Sequence, residues 1–321
     1  MPKVFVTRPI PEVGINLLRD KGMDVVLNSD NRVLSKDELK THVAGVDAIL
    51  SLLTDKIDGE VLDAAGPQLR IVANLAVGYD NIDIQAAKQR NVMVTNTPGV
   101  LTDAVAEHAI ALLVTAAKRI VEADRYIRSG QFKQWEPLGF LGPQLTGKTI
   151  GVVGLGRIGS VVAQIAQKGY QMKVLYYDIK RNEDFEKEVS ALYMASVDEL
   201  LPLCDFVSIH VPLLDSTHHL INAERLAKMK KSAILVNTSR GPVVDEQALV
   251  EALKSGQIAY AGLDVFEHEP ELTQGLSELP NVVLTPHIAS ATIEAREAMA
   301  ELAAESIIVA LSGQTPTNLV S

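Results

Sequence analysis

Short apolar runs rich in β-branched residues recur along the chain, and amphipathic stretches with helical spacing separate them. In the first hundred residues the runs predict strands over 4–6, 25–27, 48–52, 71–74 and 92–94. The stretches between them predict helices over 11–20, 36–43 and 59–65. Strands that alternate with helices pair in parallel, so the sequence predicts an α/β fold with a largely parallel sheet.

A second series of the same kind begins near residue 149. Its six predicted strands, enough for a complete doubly wound sheet, cover 149–153, 174–177, 206–209, 233–237, 259–264 and 282–284. Residues 102–128 contain no Gly or Pro and predict one long helix. The last predicted helix, 291–311, lies beyond the second series, and we expect it to pack on the first domain.

A chain of 321 residues exceeds the usual size of one domain. We therefore predict two domains that share a cleft. We expect residues 1–100 and 290–321 to form the smaller domain, with a doubly wound parallel sheet over 101–289 inserted into it.

Composition excludes several classes of function. The net charge is −10 and the Lys and Arg residues are scattered, so a nucleic-acid partner is not expected. No apolar stretch reaches the length of about 18 residues that a membrane helix needs, and the start does not resemble a secretory leader, so we predict a cytoplasmic protein without a membrane partner. The lone Cys204 excludes an intrachain disulfide and is expected to be a buried thiol.

Five of the histidines are of the residue type that binds metal ions. They show no ligand-like spacing with acidic residues on a shared helix face, so no metal site is predicted; they are His108, His210, His218, His219 and His268.

The segment that follows residue 128 has the turn formers of a loop together with an unusual number of bulky apolar side chains. These are Phe132, Trp135, Phe140 and Leu141. Large apolar groups in a loop favour a surface that packs against another subunit.

The string TIGVVGLGRIGSVVAQIAQ carries three glycines, Gly154, Gly156 and Gly159, in the G-x-G-x-x-G arrangement. The motif follows a predicted strand and opens a predicted helix, which is the context that a dinucleotide-binding turn requires. We expect Gly154 to permit the tight turn, Gly156 to let the backbone approach a pyrophosphate, and Gly159 to allow close helix packing.

Asp178 ends the next predicted strand, 19 residues after the last glycine of the motif (178 − 159 = 19). A carboxylate at this place accepts hydrogen bonds from ribose hydroxyls and repels a 2′-phosphate. The sequence therefore favours NAD(H) as the cofactor. Lys180 and Arg181 follow directly and can neutralise part of a phosphate charge, so NADP(H) remains possible.

Three later segments end predicted strands of the second series, where loops point to the carboxyl edge of the sheet. They carry Arg240, Glu269 and His287. Arg240 offers a fixed planar cation for a carboxylate, and His287 is of the residue type that exchanges protons near neutral pH. Glu269 is expected to bond the other imidazole nitrogen, and Asp264 to hold a nicotinamide amide. Together these groups suit the reduction of a 2-oxo acid.

The sequence resembles the D-isomer-specific 2-hydroxyacid dehydrogenases over essentially its whole length. The blocks that carry the resemblance occur in the family's order: NLAVGYDNID, TNTPGVLTDAVAEHAIALL, GVVGLGRIGS, NTSRGPVVDE, GLDVFEHEP and LTPHIASAT. Within the family, FVTRPIPEVGINLL, SLLTDKID and the apolar segment at 135–142 look most like the glyoxylate and hydroxypyruvate reductases.

The resemblance implies a flavodoxin-like substrate-binding domain over 1–100 and 290–321 and a Rossmann dinucleotide-binding domain over 101–289. It also implies a homodimer and an enzyme that makes a D-2-hydroxy acid. It implies that Arg240, Glu269 and His287 are catalytic, and that the backbone amides of Val77 and Gly78 bind the substrate's carboxylate. The residues that it implies at the cofactor are Val105, Arg157, Ile158, Val211, Pro212, Thr217, Thr238, Asp264 and Ala289.

Two departures from the family pattern matter. Many NADP(H)-preferring reductases of this subgroup have a basic or neutral residue where Asp178 stands, so the resemblance does not fix the choice between NAD(H) and NADP(H). Many members have Gly where Ala289 stands, a small change that we expect to be tolerated.

Two alternatives stay open at the level of the sequence. A 3-phosphoglycerate dehydrogenase shares these motifs but needs extra cations for its substrate's phosphate. Here Leu52 and Leu53 favour a small substrate without phosphate, although Lys56 is close by in the chain. A non-catalytic NAD-sensing regulator is possible on the same scaffold.

Overall fold

The computed structural model describes residues 1–320. Two compact units make up the chain: residues 1–101 together with the segment from 290 onward, and residues 102–289. Among residues 1–320, no helix combines the length and the apolar character needed to cross a bilayer.

The first unit is built on a five-stranded parallel sheet whose order is β2-β1-β3-β4-β5, the order of flavodoxin-like sheets. All five predicted strands are confirmed. The strands are β1 (Lys3–Val6), β2 (Asp24–Leu27), β3 (Ala48–Ser51), β4 (Ile71–Asn74) and β5 (Met93–Thr95). The helices are α1 (Glu12–Asp20), α2 (Lys36–His42), α3 (Gly59–Ala65), α4 (Ile84–Gln89) and the last helix of the chain, α12 (Ile293–Leu311).

The last helix packs on the first unit, as predicted. A Cβ added at Gly14 in α1 would lie 2.7 Å from the carbonyl oxygen of Ala300 in α12. Ala303, Ala304 and Ile307 of α12 are buried as well. Small residues on both helices therefore allow their backbones to approach closely.

The second unit contains a seven-stranded parallel sheet in the order β12-β11-β10-β9-β6-β7-β8. Read from β8 to β11, this is the Rossmann order 3-2-1-4-5-6, which confirms the predicted fold class. The strands are β6 (Thr149–Val153), β7 (Lys173–Tyr177), β8 (Leu192–Tyr193), β9 (Phe206–Ile209), β10 (Ile234–Asn237), β11 (Tyr260–Leu263) and β12 (Val282–Leu284). The sequence predicted six of them and missed β8, which is two residues long.

The helices of the second unit connect these strands. They are α5 (Thr102–Ala117), α6 (Ile120–Arg128), α7 (Arg157–Tyr170), α8 (Glu183–Val189), α9 (Val197–Leu200), α10 (Ala223–Lys228) and α11 (Glu246–Lys254). Short 3₁₀ turns occur at Leu201–Leu203 and Gly241–Val243.

The prediction of one helix over 102–128 was wrong. The helix is interrupted because Arg119 adopts the left-handed conformation, with φ of 54°. The Arg119 Nε donates to Glu122 Oε2 at 2.9 Å, a bond within the first turn of α6 that helps to fix the new helix direction. A non-glycine residue in this conformation has no simple sequence signature.

The loop after α6 keeps several of its apolar side chains on the surface of the second unit. Phe132, Trp135 and Leu141 are 55%, 78% and 64% exposed. The predicted contact with another subunit remains a prediction.

Cys204 is fully buried, as expected. Burial raises the pKa of its thiol to about 12, and its Sγ donates to the carbonyl oxygen of Leu200 at 3.2 Å. The residue is therefore an unreactive core thiol.

Candidate active site

The three strands β10, β11 and β12 are neighbours in the second sheet, and their carboxyl ends lie side by side. Asn237 at the end of β10 pairs with Leu263 of β11, which pairs with Leu284 of β12. The loops that leave these strands carry Arg240, Glu269 and His287. Parallel pairing therefore places the three predicted catalytic residues on adjacent loops at one edge of the sheet.

Glu269 and His287 are in direct contact. The His287 Nδ1 lies 2.9 Å from Glu269 Oε2, and the other oxygen of Glu269 accepts a hydrogen bond from the Phe266 N–H at 3.0 Å. The imidazole is about three-quarters buried, with 24% of the side chain exposed. A carboxylate that is itself held by the backbone thus fixes the ring through Nδ1, and Nε2 is the nitrogen that this contact leaves available.

The backbone of His287 is held in an uncommon conformation, with φ of 54°. Its N–H donates to the carbonyl oxygens of Asp264 and Thr285, at 2.9 and 3.0 Å. A left-handed conformation at a non-glycine residue costs on the order of 1–3 kcal/mol and persists only where the surroundings enforce it. The loop after β11 supplies part of that support.

Asp264 is the buried anchor of the loop that carries His287. It is fully buried, and its Oδ1 accepts from the Thr285 hydroxyl at 2.6 Å and the Ile288 N–H at 2.8 Å, while Oδ2 accepts from the Ala289 N–H at 2.8 Å. His108 Nε2 lies 3.4 Å from Oδ1. Burial acts to raise the pKa of Asp264, but the hydrogen bonds outweigh it, and the net pKa is lowered. Its contact with a nicotinamide amide stays a prediction.

Arg240 follows β10 on a loop whose backbone is held by side-chain hydrogen bonds. Asn237 Nδ2 donates to the carbonyl oxygen of Arg240 at 2.9 Å, and the Arg240 Nη1 donates to that of Ser239 at 2.9 Å. A Cβ at Gly241 would lie 1.9 Å from the carbonyl carbon of Phe266. Only glycine permits this approach, so the Arg240 loop packs directly on the loop that carries Glu269.

The glycine turn has the features that a dinucleotide requires. Gly154 has φ of 96°, and a Cβ there would lie 2.8 Å from the carbonyl carbon of His210. A Cβ at Gly159 would lie 2.0 Å from the Gly154 oxygen, whereas one at Gly156 would meet no atom within 4 Å. Gly156 is the N-cap of α7 and has no capping side chain. The turn is therefore tight, and its exposed backbone fits a pyrophosphate at a helix N-terminus.

Asp178 follows β7 and bonds the same turn. Its Oδ2 accepts from the Leu155 N–H at 2.7 Å and its Oδ1 from the Lys180 N–H at 3.2 Å. Arg181 is turned to another partner, because its Nε and Nη2 each lie 2.8 Å from an oxygen of Glu186. Arg181 is thus engaged in its own ion pair, whereas Lys180, the other cation that could neutralise a 2′-phosphate, is exposed.

The other residues expected at the cofactor lie at strand ends and helix starts of the second unit. Thr217 closes the loop after β9, where its Oγ1 donates to the Pro212 carbonyl at 2.7 Å and accepts from the Leu214 N–H at 2.8 Å. The Oγ1 of Thr238 is buried without a hydrogen-bond partner among residues 1–320. The remaining predicted positions are Val105 in α5, Arg157 and Ile158 at the start of α7, Val211 after β9, and Ala289 after β12.

In the first unit, the predicted substrate residues follow neighbouring strands. Leu52 follows β3, and Val77 and Gly78 follow β4 by three and four residues. Among residues 1–320, no hydrogen bond has the N–H of Val77 or Gly78 as its donor. Two adjacent N–H groups therefore remain to bind an acceptor.

The structure also brings together residues that the sequence did not connect. His219 Nε2 lies 2.7 Å from Glu267 Oε1, and His218 stacks on His219 with ring centroids 4.1 Å apart. Ligand atoms of these three residues lie within 4.8 Å of one another. The histidine–carboxylate hydrogen bond accounts for this cluster, and the absence of a bound metal stays a prediction.

Comparison with known proteins decides the family. Residues 110–289 match the family model described as "D-isomer specific 2-hydroxyacid dehydrogenase, NAD binding domain". The chain belongs to this family. Its second unit therefore contains the family's NAD-binding domain.

Individual relatives extend the family match to the whole chain. It is 53% identical over 322 residues to a glyoxylate reductase of Thermofilum pendens, covering 100% of this chain and 94% of the relative. A protein of Thermus thermophilus superposes with a TM-score of 0.93 at 43% identity, over 99% and 100% of the two chains. An NADPH-dependent glyoxylate/hydroxypyruvate reductase of Sinorhizobium meliloti gives 0.86 at 33% identity, over 100% and 98%. These family members do not favour the 3-phosphoglycerate dehydrogenase or regulator alternatives.

Proposed function

We propose that the protein reduces a small 2-oxo acid, glyoxylate or hydroxypyruvate, to the D-2-hydroxy acid with NADH. The observation that carries this proposal is the contact between His287 Nδ1 and Glu269 Oε2, on a loop next to that of Arg240. Two relatives that match the whole chain at 53% and 52% sequence identity are named glyoxylate reductase, and these names support the same substrate class.

The chain's own groups account for the proton and the charge of such a reaction. When bound, the reduced nicotinamide supplies a hydride to the 2-oxo carbon. His287 donates a proton to the carbonyl oxygen from Nε2, while Glu269 keeps the ring in place through Nδ1. Arg240 is the fixed cation that stabilises the negative charge developing on that oxygen.

We assign the substrate's carboxylate to the N–H groups of Val77 and Gly78, with Leu52 as a nearby apolar contact. The lack of hydrogen-bond partners for these two N–H groups among residues 1–320 supports the assignment. Adjacent backbone N–H groups form a concavity that suits an anion.

NADH is favoured over NADPH because the Asp178 carboxylate sits at the glycine turn and Arg181 is occupied by Glu186. The Sinorhizobium relative named above is NADPH-dependent at 33% identity, so cofactor preference varies within the family. The homodimer and the cytoplasmic location stay predictions.

The proposal is tested by following absorbance of the reduced nicotinamide band with purified protein. We expect NADH to be consumed with glyoxylate and with hydroxypyruvate, and at a lower kcat/KM when NADPH replaces NADH. No consumption of either cofactor with any small 2-oxo acid contradicts the proposed reaction.

A further inference from the structure

The peptide group that joins Val77 to Gly78 accepts a side-chain hydrogen bond at its carbonyl oxygen. Asn96, which directly follows β5, donates from Nδ2 to the Val77 carbonyl oxygen at 2.7 Å. This peptide bond is trans and planar, so its N–H, which belongs to Gly78, points away from its C=O. The Asn96 amide therefore fixes the direction in which the Gly78 N–H is presented.

A second asparagine holds the next carbonyl in the same way. Asn74, the buried last residue of β4, donates from Nδ2 to the Gly78 carbonyl oxygen at 3.0 Å. Its own Oδ1 accepts from the Ser51 hydroxyl at 3.0 Å. Two consecutive carbonyls thus have side-chain donors, while the N–H groups of Val77 and Gly78 have no partner among residues 1–320.

Asn96 is itself tied to the C-terminal part of the first unit. Asn318 Nδ2 donates to the Asn96 carbonyl oxygen, and Asn318 Oδ1 accepts from the Ser306 hydroxyl of α12 at 3.0 Å. The Val320 N–H donates to the Val94 carbonyl oxygen of β5 at 2.7 Å. Asn96, which donates to the 77–78 peptide, is therefore held in place by hydrogen bonds from the C-terminal segment of the chain.

We propose that Asn96 is a positioning residue that orients and polarises the Gly78 N–H for the carboxylate of the substrate. This inference rests on the proposed function, which assigns that carboxylate to the 77–78 segment. A donor at the carbonyl strengthens the N–H at the other end of the peptide, because hydrogen bonds along a chain polarise one another. A neutral amide does this without placing a negative charge beside an anionic ligand.

Two variants separate this role from a purely structural one. Asn96→Ala removes the donor, and Asn96→Asp keeps the shape but replaces the donor by an anion. We expect KM for glyoxylate to rise about 10-fold in the alanine variant and further in the aspartate variant, with the Kd for NADH unchanged. Gln68→Ala is the matched control, because Gln68 Nε2 also donates to backbone carbonyls of the first unit, those of Val46 and Ala65. Its KM should stay within about 2-fold of the unmodified enzyme.

A binding measurement that needs no turnover completes the test. Oxalate, a stable dicarboxylate, is titrated into ¹⁵N-labelled protein with NAD⁺ present, and the amide resonance of Gly78 is followed. We expect a shift in the unmodified protein and about 10-fold weaker oxalate binding in Asn96→Ala.

The outcomes distinguish the two proposals. An unmodified protein that turns over no 2-oxo acid but shows the Gly78 shift, weakened in Asn96→Ala, refutes the proposed reaction and supports the role of Asn96. Equal oxalate affinity in both proteins, or a Gly78 resonance that does not respond, overturns the inference. A lower Tm with unchanged KM and oxalate affinity also overturns it, since that is the result of a structural role alone.

Discussion

Two loops at the carboxyl edges of the sheets, the one that carries His287 and the one at 77–78, are anchored in different ways. In the seven-stranded sheet, the buried carboxylate of Asp264 holds the loop that carries His287. In the five-stranded sheet, the neutral amides of Asn74 and Asn96 hold the segment at 77–78. Asp264 and Asn96 directly follow a strand, and Asn74 ends one. Asp264 bonds the loop after the next strand, β12, whereas both asparagines bond the loop after β4.

The difference follows from what each edge presents. An imidazole that alternates between neutral and cationic forms tolerates nearby carboxylates, and Glu269 lies 2.9 Å from it. Backbone N–H donors that receive an anion gain nothing from a neighbouring negative charge, and amide side chains bond their carbonyls without one. In the proposed reaction, the charge of the anchor at each of these two loops is therefore matched to the charge of the group that the loop binds.

The largest effect is expected at the imidazole. His287→Gln removes proton transfer but not the glycine turn, so kcat should fall by about 10²-fold or more while the Kd for NADH is unchanged. Steady-state kinetics and a fluorescence titration with NADH measure the two quantities. The exposed His268 on the neighbouring loop provides the control His268→Gln, which should keep its turnover. Equal activity in all three proteins removes His287 from the mechanism.

The charged anchor is tested by Asp264→Asn. Its pKa is lowered in the folded protein, so the ionised carboxylate stabilises the fold above the unfolded pKa of about 4, and this contribution is lost as the pH falls through the folded pKa. We expect the variant to lose about 1–3 kcal/mol of unfolding free energy at pH 7. The deficit should shrink below about pH 4. Urea unfolding at both pH values measures it, and a deficit independent of pH contradicts the role of the charge.

Glu269→Gln tests whether the second carboxylate at this edge acts through orientation. Glutamine keeps an oxygen for the Phe266 N–H but loses the charge next to Nδ1. We expect kcat to fall about 10-fold, less than in His287→Gln, because the proton donor is still present. A loss as large as that of His287→Gln indicates that Glu269 transfers protons itself.

The smallest effect is expected at the cofactor, where Asp178→Ala removes a carboxylate from the glycine turn. The ratio of kcat/KM for NADPH to that for NADH should rise several-fold. Asp184→Ala, which removes an exposed acid from α8, should leave the ratio unchanged. If NADPH is already the better cofactor of the unmodified enzyme, the hypothesis that Asp178 selects NADH is wrong.

Most of the fold could be predicted from the sequence, because strands buried on both faces appear as continuous apolar runs. All four residues of β3 and of β4 are buried, and both strands were predicted. β8 has two residues, and its Leu192 is 63% exposed, so no such run marks it. The break at Arg119 depends on a left-handed backbone without Gly, which the sequence does not signal.

The sequence predicted those parts of the candidate site whose residues are close together in the chain or follow neighbouring strands. The glycine turn and Asp178 lie within one βαβ unit, and the loops of Glu269 and His287 follow successive strands. The sequence did not predict the hydrogen bond from Asn96 to the Val77 carbonyl, although Asn96 lies in the family block TNTPGVLTDAVAEHAIALL. Its tether to Asn318 joins residues 222 positions apart, a contact that only the folded chain reveals. The bond between His219 and Glu267, 48 positions apart, is of the same kind.

The most direct test of the account is a single assay of hydroxypyruvate reduction by the unmodified enzyme, in which the chirality and the amount of glycerate are measured against NADH consumed. The account predicts one D-glycerate for each NADH. Formation of L-glycerate, or no glycerate while NADH remains intact, would contradict the claim that these loops form a D-2-hydroxyacid dehydrogenase site.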